Sequence, residues 1–224
     1  LADTFNSMAD KIEQNIEKLR SVEKLRRELI ANVSHDLRSP IASIQGFVDT
    51  ILLKKEKLTE EQEVKYLEII QQNTQNLSSL VNDLFELSKL EANPDQVQPE
   101  PLQIAELVQD IADKFRIIAR DKNISINTIF SKNLPMVYAD IRMTDRVFQN
   151  IIDNAIKYCD RGDTVTIELE LQNQEVMVRI KDTGTGIASE ALPYIFTRFY
   201  KSSNNAATKT NSTGLGLAIV KKIL

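Results

Sequence analysis

The chain has 224 residues, enough for two domains with their own cores, and its 42% apolar and 27% charged residues are ordinary for a globular protein. A net charge of −4 gives no basic surface for general nucleic-acid binding. The single cysteine, Cys159, rules out an internal disulfide and a Cys-x-x-Cys zinc site; a half-buried structural thiol in a reducing compartment is expected.

Residues 1–53 carry helical periodicity with no breaker before Pro40. Ile30, Val33, Leu37, Ile41, Ile44, Val48 and Ile51 recur every three or four residues and fall within roughly 80° of arc, the stripe of a bundled helix. KKEKL carries a turn, and Thr59 with Gln62 has the form of a capping box. The next helix runs to about Leu90, with Ile70, Leu77, Leu80, Leu84 and Leu87 on its buried face. Two long helices joined by a short link predict an antiparallel hairpin. One hairpin buries a single seam, so two copies side by side, a homodimeric four-helix bundle, are expected.

The Pro-rich stretch 92–101, ANPDQVQPEP, marks a domain boundary; five of the six glycines follow it. Beyond it, LQIAELVQDIADKFRIIARDK reads as a helix, ISINTI and MVYAD as short strands, and IRMTDRVFQNIIDNAIKY as a second helix. TVTIELEL and EVMVRIKD alternate as strands around the turn QNQ, and GLGLAIVKKIL opens a last helix. This order lacks a regular βαβ rhythm and predicts an α+β sandwich after the all-α hairpin. No apolar run approaches the roughly 18 residues of a membrane span. The first ten residues have no signal-peptide pattern, and because the chain begins at Leu1 a membrane segment upstream stays open.

His35 is the only histidine. It falls roughly 160° from the centre of the apolar stripe, so it points to solvent. A plain surface histidine fits that position, but Asp36, Arg38, Ser39 and Pro40 follow it. Neutral imidazole has one nitrogen able to attack phosphorus, and an adjacent carboxylate can hold the proton on the other. Pro40 lacks an N–H and should bend the helix.

Asn150, Asn154 and Lys157 share roughly 60° of one helix face, opposite Val147, Phe148, Ile151, Ile152 and Ala155. The amide oxygens suit Mg²⁺ and the ammonium suits phosphate, although a solvated helix face has the same pattern. DTGTGI follows a strand at 182–187, where glycines allow close backbone approach to a flat ligand and Asp182 can accept from an exocyclic amino group. Gly214 and Gly216 open the last helix, whose first amides can bind phosphate. Neither the Walker nor the dinucleotide-binding glycine pattern is present.

ELIANVSHDLRSPIASIQGF resembles the phosphoacceptor box of sensor histidine kinases. That resemblance implies that His35 is the phosphoacceptor and Asp36 its acid/base partner. Ser39 stands where the family usually has Thr or Asn for a phosphatase reaction. QNIIDNAIKY, DTGTGI, FTRF and TGLGL resemble, in order, the motifs of the ATP-binding domain shared by histidine kinases, Hsp90 chaperones and type II topoisomerases. They imply ATP contacts at Asn150, Asn154, Lys157, Tyr158, Asp182, Gly184, Gly186, Thr213, Gly214, Leu215 and Gly216, with Mg²⁺ held by Asn150 and Asn154. Phe196 and Phe199 match the aromatic box, Arg198 and Lys201 are further phosphate candidates, and a lid over ATP is expected at about 200–213. Thr185 replaces a frequent Pro, and the family's two final strands would follow Leu224. LADTFNSMADKI is similar to the last helix of a HAMP signal-relay domain.

The implied organisation is a relay helix at 1–26, a dimerisation and phosphotransfer domain at 27–95 and an ATP-binding domain at 96–224. The implied function is ATP-dependent phosphorylation of His35, then transfer to an aspartate of a response-regulator receiver domain, on the cytoplasmic side of a membrane-bound sensor. An ATPase of the same superfamily is the first alternative; it would need a Glu where Asn150 stands. A non-catalytic dimeric scaffold is the second.

Overall fold

The structure is a computed structural model and describes residues 2–54, 57–92, 97–201 and 213–224. The chain divides into two compact units, Leu1–Leu80 and Val81–Leu224.

The first unit holds helix α1, Ala2–Lys54, and the greater part of α2, Glu60–Ala92. α1 is continuous through Pro40. α2 starts where its capping box predicts: Thr59 N–H donates to Gln62 Oε1 at 3.1 Å, and Gln62 N–H donates to Thr59 Oγ1 at 3.3 Å. Residues 55–56 of the expected turn lie outside the described residues. The helices run antiparallel, because Ser43 bonds Asn73 at 3.4 Å while Phe47 meets Tyr66 with ring centroids 5.2 Å apart. Within one chain the predicted stripe is only partly covered. Val33, Leu37, Ile44 and Ile51 are half-buried, while Ile30, Ile41 and Val48 are exposed.

The second unit is a layer of helices on a sheet. Strand β1, Glu100–Leu102, pairs antiparallel with β3, Val137–Ala139. The main sheet has the order β2-β4-β5, from Ser125–Phe130, Thr164–Gln172 and Glu175–Asp182. β2 runs parallel to β4, and β4 forms a hairpin with β5. Helices α3, Ile104–Asp121, and α4, Ile141–Tyr158, cover the inner face. Val165, Ile167 and Leu169 alternate inward from β4 and meet Val108, Ile111, Ala112, Phe148, Ile152 and Ile156 in one core. The outer face is polar: Lys181 pairs with Glu168 at 2.8 Å and Arg179 with Glu170 at 2.7 Å. Glu170 is held below the usual carboxylate range, chiefly by hydrogen bonding to Arg179.

Asp140 caps α4. Its carboxylate accepts from the amides of Arg142 at 3.0 Å, Met143 at 3.2 Å and Gln98 at 3.0 Å. Burial pushes its carboxyl upward, but these donors and nearby Arg142 outweigh it, leaving a net value below the ordinary one. A short 3₁₀ turn, Leu192–Tyr194, and helix α5, Gly216–Ile223, complete the unit; Ala218, Ile219 and Val220 of α5 are buried. Among the described residues no helix is long and apolar enough to cross a membrane. The expected lid lies largely in 202–212, outside the described residues.

Candidate active site

The chemistry-bearing residues fall in two places, one in each unit. On α1, one full turn before Pro40, the His35 side chain is 83% exposed, as the stripe arithmetic predicts. Its Nδ1 lies 3.2 Å from Asp36 Oδ1. A hydrogen bond between those atoms puts the proton on Nδ1 and leaves Nε2 with the lone pair. Ser39 is exposed one turn further along the same helix.

In the second unit α4 is the wall on which the other motifs assemble. Its apolar residues face the core, which leaves Asn150, Asn154, Lys157 and Tyr158 half-buried on the remaining side. Asn150 Nδ2 is buried with no protein partner among the described residues. A Cβ added to Gly216 would lie 3.1 Å from Asn150 Oδ1, so the start of α5 fits directly against this amide. Lys157 Nζ pairs with Asp153 at 2.6 Å.

The turn after β5 abuts the far end of α4. Thr185 N–H donates to the Tyr158 carbonyl at 3.2 Å, and a Cβ at Gly184 would come within 2.3 Å of that same oxygen. Only glycine fits there, and the fit seats the turn that follows Asp182 against the end of α4. Gly184 N–H donates to Asp182 Oδ1 at 3.1 Å, while Gly186 has φ 70°, the left-handed region open to glycine. Cys159 is half-buried beside this turn; burial, then the carboxylates of Asp182 and Asp163, push its thiol upward and keep it protonated.

The second glycine turn is clasped by the aromatic segment. Phe199, at φ 60°, donates its N–H to the Gly214 carbonyl at 2.8 Å, and a Cβ on Gly214 would lie 2.8 Å from Phe199 Cα. Phe196 is exposed. Arg198 forms an ion pair with Glu91 in the last turn of α2, and Lys201 is exposed at the edge of the described run. Thr213 donates its hydroxyl to Asp83 at 2.8 Å and Leu215 is fully buried.

Asp83 and its partner Arg146 are the residues that sequence reasoning missed. The signal was present: Asp83 stands three residues after Leu80 and four before Leu87, a charge on an otherwise apolar face.

The amide face, the two glycine turns and the carboxylate at their edge are the features of a nucleotide-binding α+β domain, accompanied by a helical hairpin that presents a histidine. Residues 139–224 match the family model of histidine kinase-, DNA gyrase B-, and HSP90-like ATPases. Residues 25–93 match the His Kinase A phospho-acceptor domain. The chain belongs to the sensor histidine kinases. Sensor protein SrrB of Staphylococcus aureus strain MRSA252 is 36% identical over 205 residues, which cover 91% of this chain and 35% of SrrB. This chain thus spans about a third of the length of the curated relatives it matches. Acinetobacter baumannii histidine kinase AdeS superposes with a TM-score of 0.66 at 28% identity, covering 84% of this chain and 85% of that one. The histidine kinase ThkA, solved in complex with the response regulator TrrA, gives 0.66 at 25% identity over 80% of this chain and 52% of its own.

Proposed function

We propose that this chain binds ATP in the second unit, phosphorylates His35 and passes the phosphoryl group to an aspartate of a response-regulator receiver domain. The observation that carries the reading is the His35 imidazole, solvent-facing with Nδ1 against the Asp36 carboxylate. In that arrangement Nε2 attacks the γ-phosphorus in line, the bond from phosphorus to the β–γ bridging oxygen breaks, and ADP departs. Asp36 keeps Nδ1–H oriented and offsets the positive charge that grows on the ring. ThkA was solved with a response regulator, which supports a receiver domain as the acceptor.

Asp182 reads the adenine amino group, and Gly184 and Gly186 let the base lie close to the backbone. The turn of Thr213, Gly214, Leu215 and Gly216 faces the phosphates, as do Lys157 and Tyr158, with Arg198 and Lys201 as further cations. The amide oxygens of Asn150 and Asn154 fit a phosphate-bound Mg²⁺, while the orphaned Nδ2 of Asn150 can donate to a phosphate oxygen. Bound there, the ion would neutralise charge on the phosphate oxygens. Among the described residues no group of three or more His, Cys, Asp or Glu side chains could hold a metal.

The domain limits that go with this reading are 1–26 for a relay helix, 27–95 for phosphotransfer and 96–224 for ATP binding. Exposed Ile41, Val48, Val64 and Leu67 on the hairpin favour a homodimer. The Ser39 hydroxyl, one turn from His35, is suited to a phosphatase reaction on the receiver. Use of cellular ATP places this part of the protein in the cytoplasm, with any membrane segment elsewhere in the full-length sensor. Asn150 in place of a water-activating Glu disfavours plain ATP hydrolysis.

Incubation with ATP labelled at the γ-phosphate tests the proposal. Wild type should gain acid-labile, alkali-stable label, and His35→Ala should gain none while still binding nucleotide. Undiminished label in His35→Ala would overturn the assignment, because the chain has no other histidine.

A further inference from the structure

Asp83 lies on α2, within the residues matched by the phosphoacceptor model and outside those matched by the ATP-binding one. It nevertheless belongs to the compact unit that holds the nucleotide-site residues. It is 7% exposed, between buried Leu80 and Leu87 on the same helix face. A carboxylate in such a place costs stability unless its oxygens are satisfied. Both are. Oδ1 pairs with Arg146 of α4, one turn before Asn150. Oδ2 accepts from the Thr213 hydroxyl at 2.8 Å.

The chain of contacts continues into the site. Thr213 Oγ1 accepts from the Leu215 amide at 3.2 Å, which fixes the turn entering α5. The next residue, Gly216, abuts Asn150. Arg146 has a second acidic neighbour in Glu86, 2.6 Å from its Nε, although that N–H is not aligned for a hydrogen bond. Further along α2, Glu91 pairs with Arg198, next to the clasp between Phe199 and Gly214. One carboxylate therefore reaches both walls of the nucleotide site: α4 through Arg146 and the second glycine turn through Thr213.

We propose that Asp83 is a positioning residue for nucleotide binding, holding the turn at 213–216 against the asparagine face of α4. ATP affinity then depends on a side chain of the phosphoacceptor region. This rests on the nucleotide-site reading given above.

A double-mutant cycle in the full chain tests it, with a non-hydrolysable ATP analogue titrated by calorimetry and the melting temperature of the ligand-free protein measured in parallel. Thr213→Val and Asp83→Ala should each weaken binding about tenfold, the scale of one charge-assisted hydrogen bond. The double variant should bind no more weakly than the worse single one. Thr213→Ser, which keeps the hydroxyl, should bind within about twofold of wild type on the same scale. If Asp83→Ala does not fold, Asp83→Asn replaces it, since it preserves the side chain's shape. Losses that multiply in the double variant would overturn the proposal. So would an Asp83 variant that lowers the melting temperature and leaves affinity at the wild-type value. Failure of wild type itself to bind the analogue would overturn the nucleotide reading, and this inference with it.

Discussion

Two carboxylates, Asp83 and Asp140, are buried among the described residues, and each is held by donors from more than one element. Asp140 gathers three amide donors at the start of α4, the helix that carries Asn150 and Asn154. Asp140→Ala should destabilise the protein by about 2 kcal/mol, measured by urea unfolding, from the lost cap and the Gln98 amide left without its acceptor. The folded carboxyl titrates below its ordinary value, so its contribution is present above the unfolded pKa and fades as pH falls through the folded one. The gap between wild type and Asp140→Ala should accordingly be constant above about pH 5 and close progressively below about pH 4. The exposure of His35 was legible in the sequence because its position opposed a regular apolar stripe. At Asp83 the charge on an apolar face was visible but its purpose was not, because its partners Arg146 and Thr213 lie 63 and 130 residues away.

Elements with a single strong local cause were readable. α4 spans the residues its periodicity marks, between an Asp cap and a change to extended backbone at Cys159. α2 begins at its capping box. β1 escaped notice because it is three residues long, contains Pro101, and exists only through its distant partner β3. The hairpin between β4 and β5 was expected, but its turn is less favourable than the sequence suggests. Asn173 and Gln174 have φ 48° and 68°, the left-handed pair of a two-residue hairpin. Asn adopts that region readily, whereas Gln enters it at a cost. Gln174→Gly should therefore stabilise the protein by about 1 kcal/mol in the same urea assay, with nucleotide affinity unchanged. An unchanged or lower midpoint would show that the turn carries no such strain.

At the scale of the whole molecule, the sequence pattern separates a helical hairpin from an α+β domain at 92–101. The compact units part earlier, between Leu80 and Val81, so the last turns of α2 belong with the second unit. Periodicity finds where a helix runs but does not report which neighbours its two ends choose. The exposed apolar residues of the hairpin are the basis of the proposed dimer. Sedimentation equilibrium should give twice the 25.4 kDa chain mass. Val48→Glu combined with Leu67→Glu should shift the protein to the monomer without unfolding the second unit; a monomeric wild type would refute the dimer. The main sheet also carries a kinetic consequence. β4 and β5 are adjacent in the chain, whereas β2 must find β4 across the intervening β3 and α4. Loop entropy has to be spent before that parallel ladder returns any contacts, so its closure is slow compared with formation of the hairpin. During synthesis, β2 and α3 wait for a partner strand that has yet to emerge, and the turn at 213–216 that meets Asn150 follows later still.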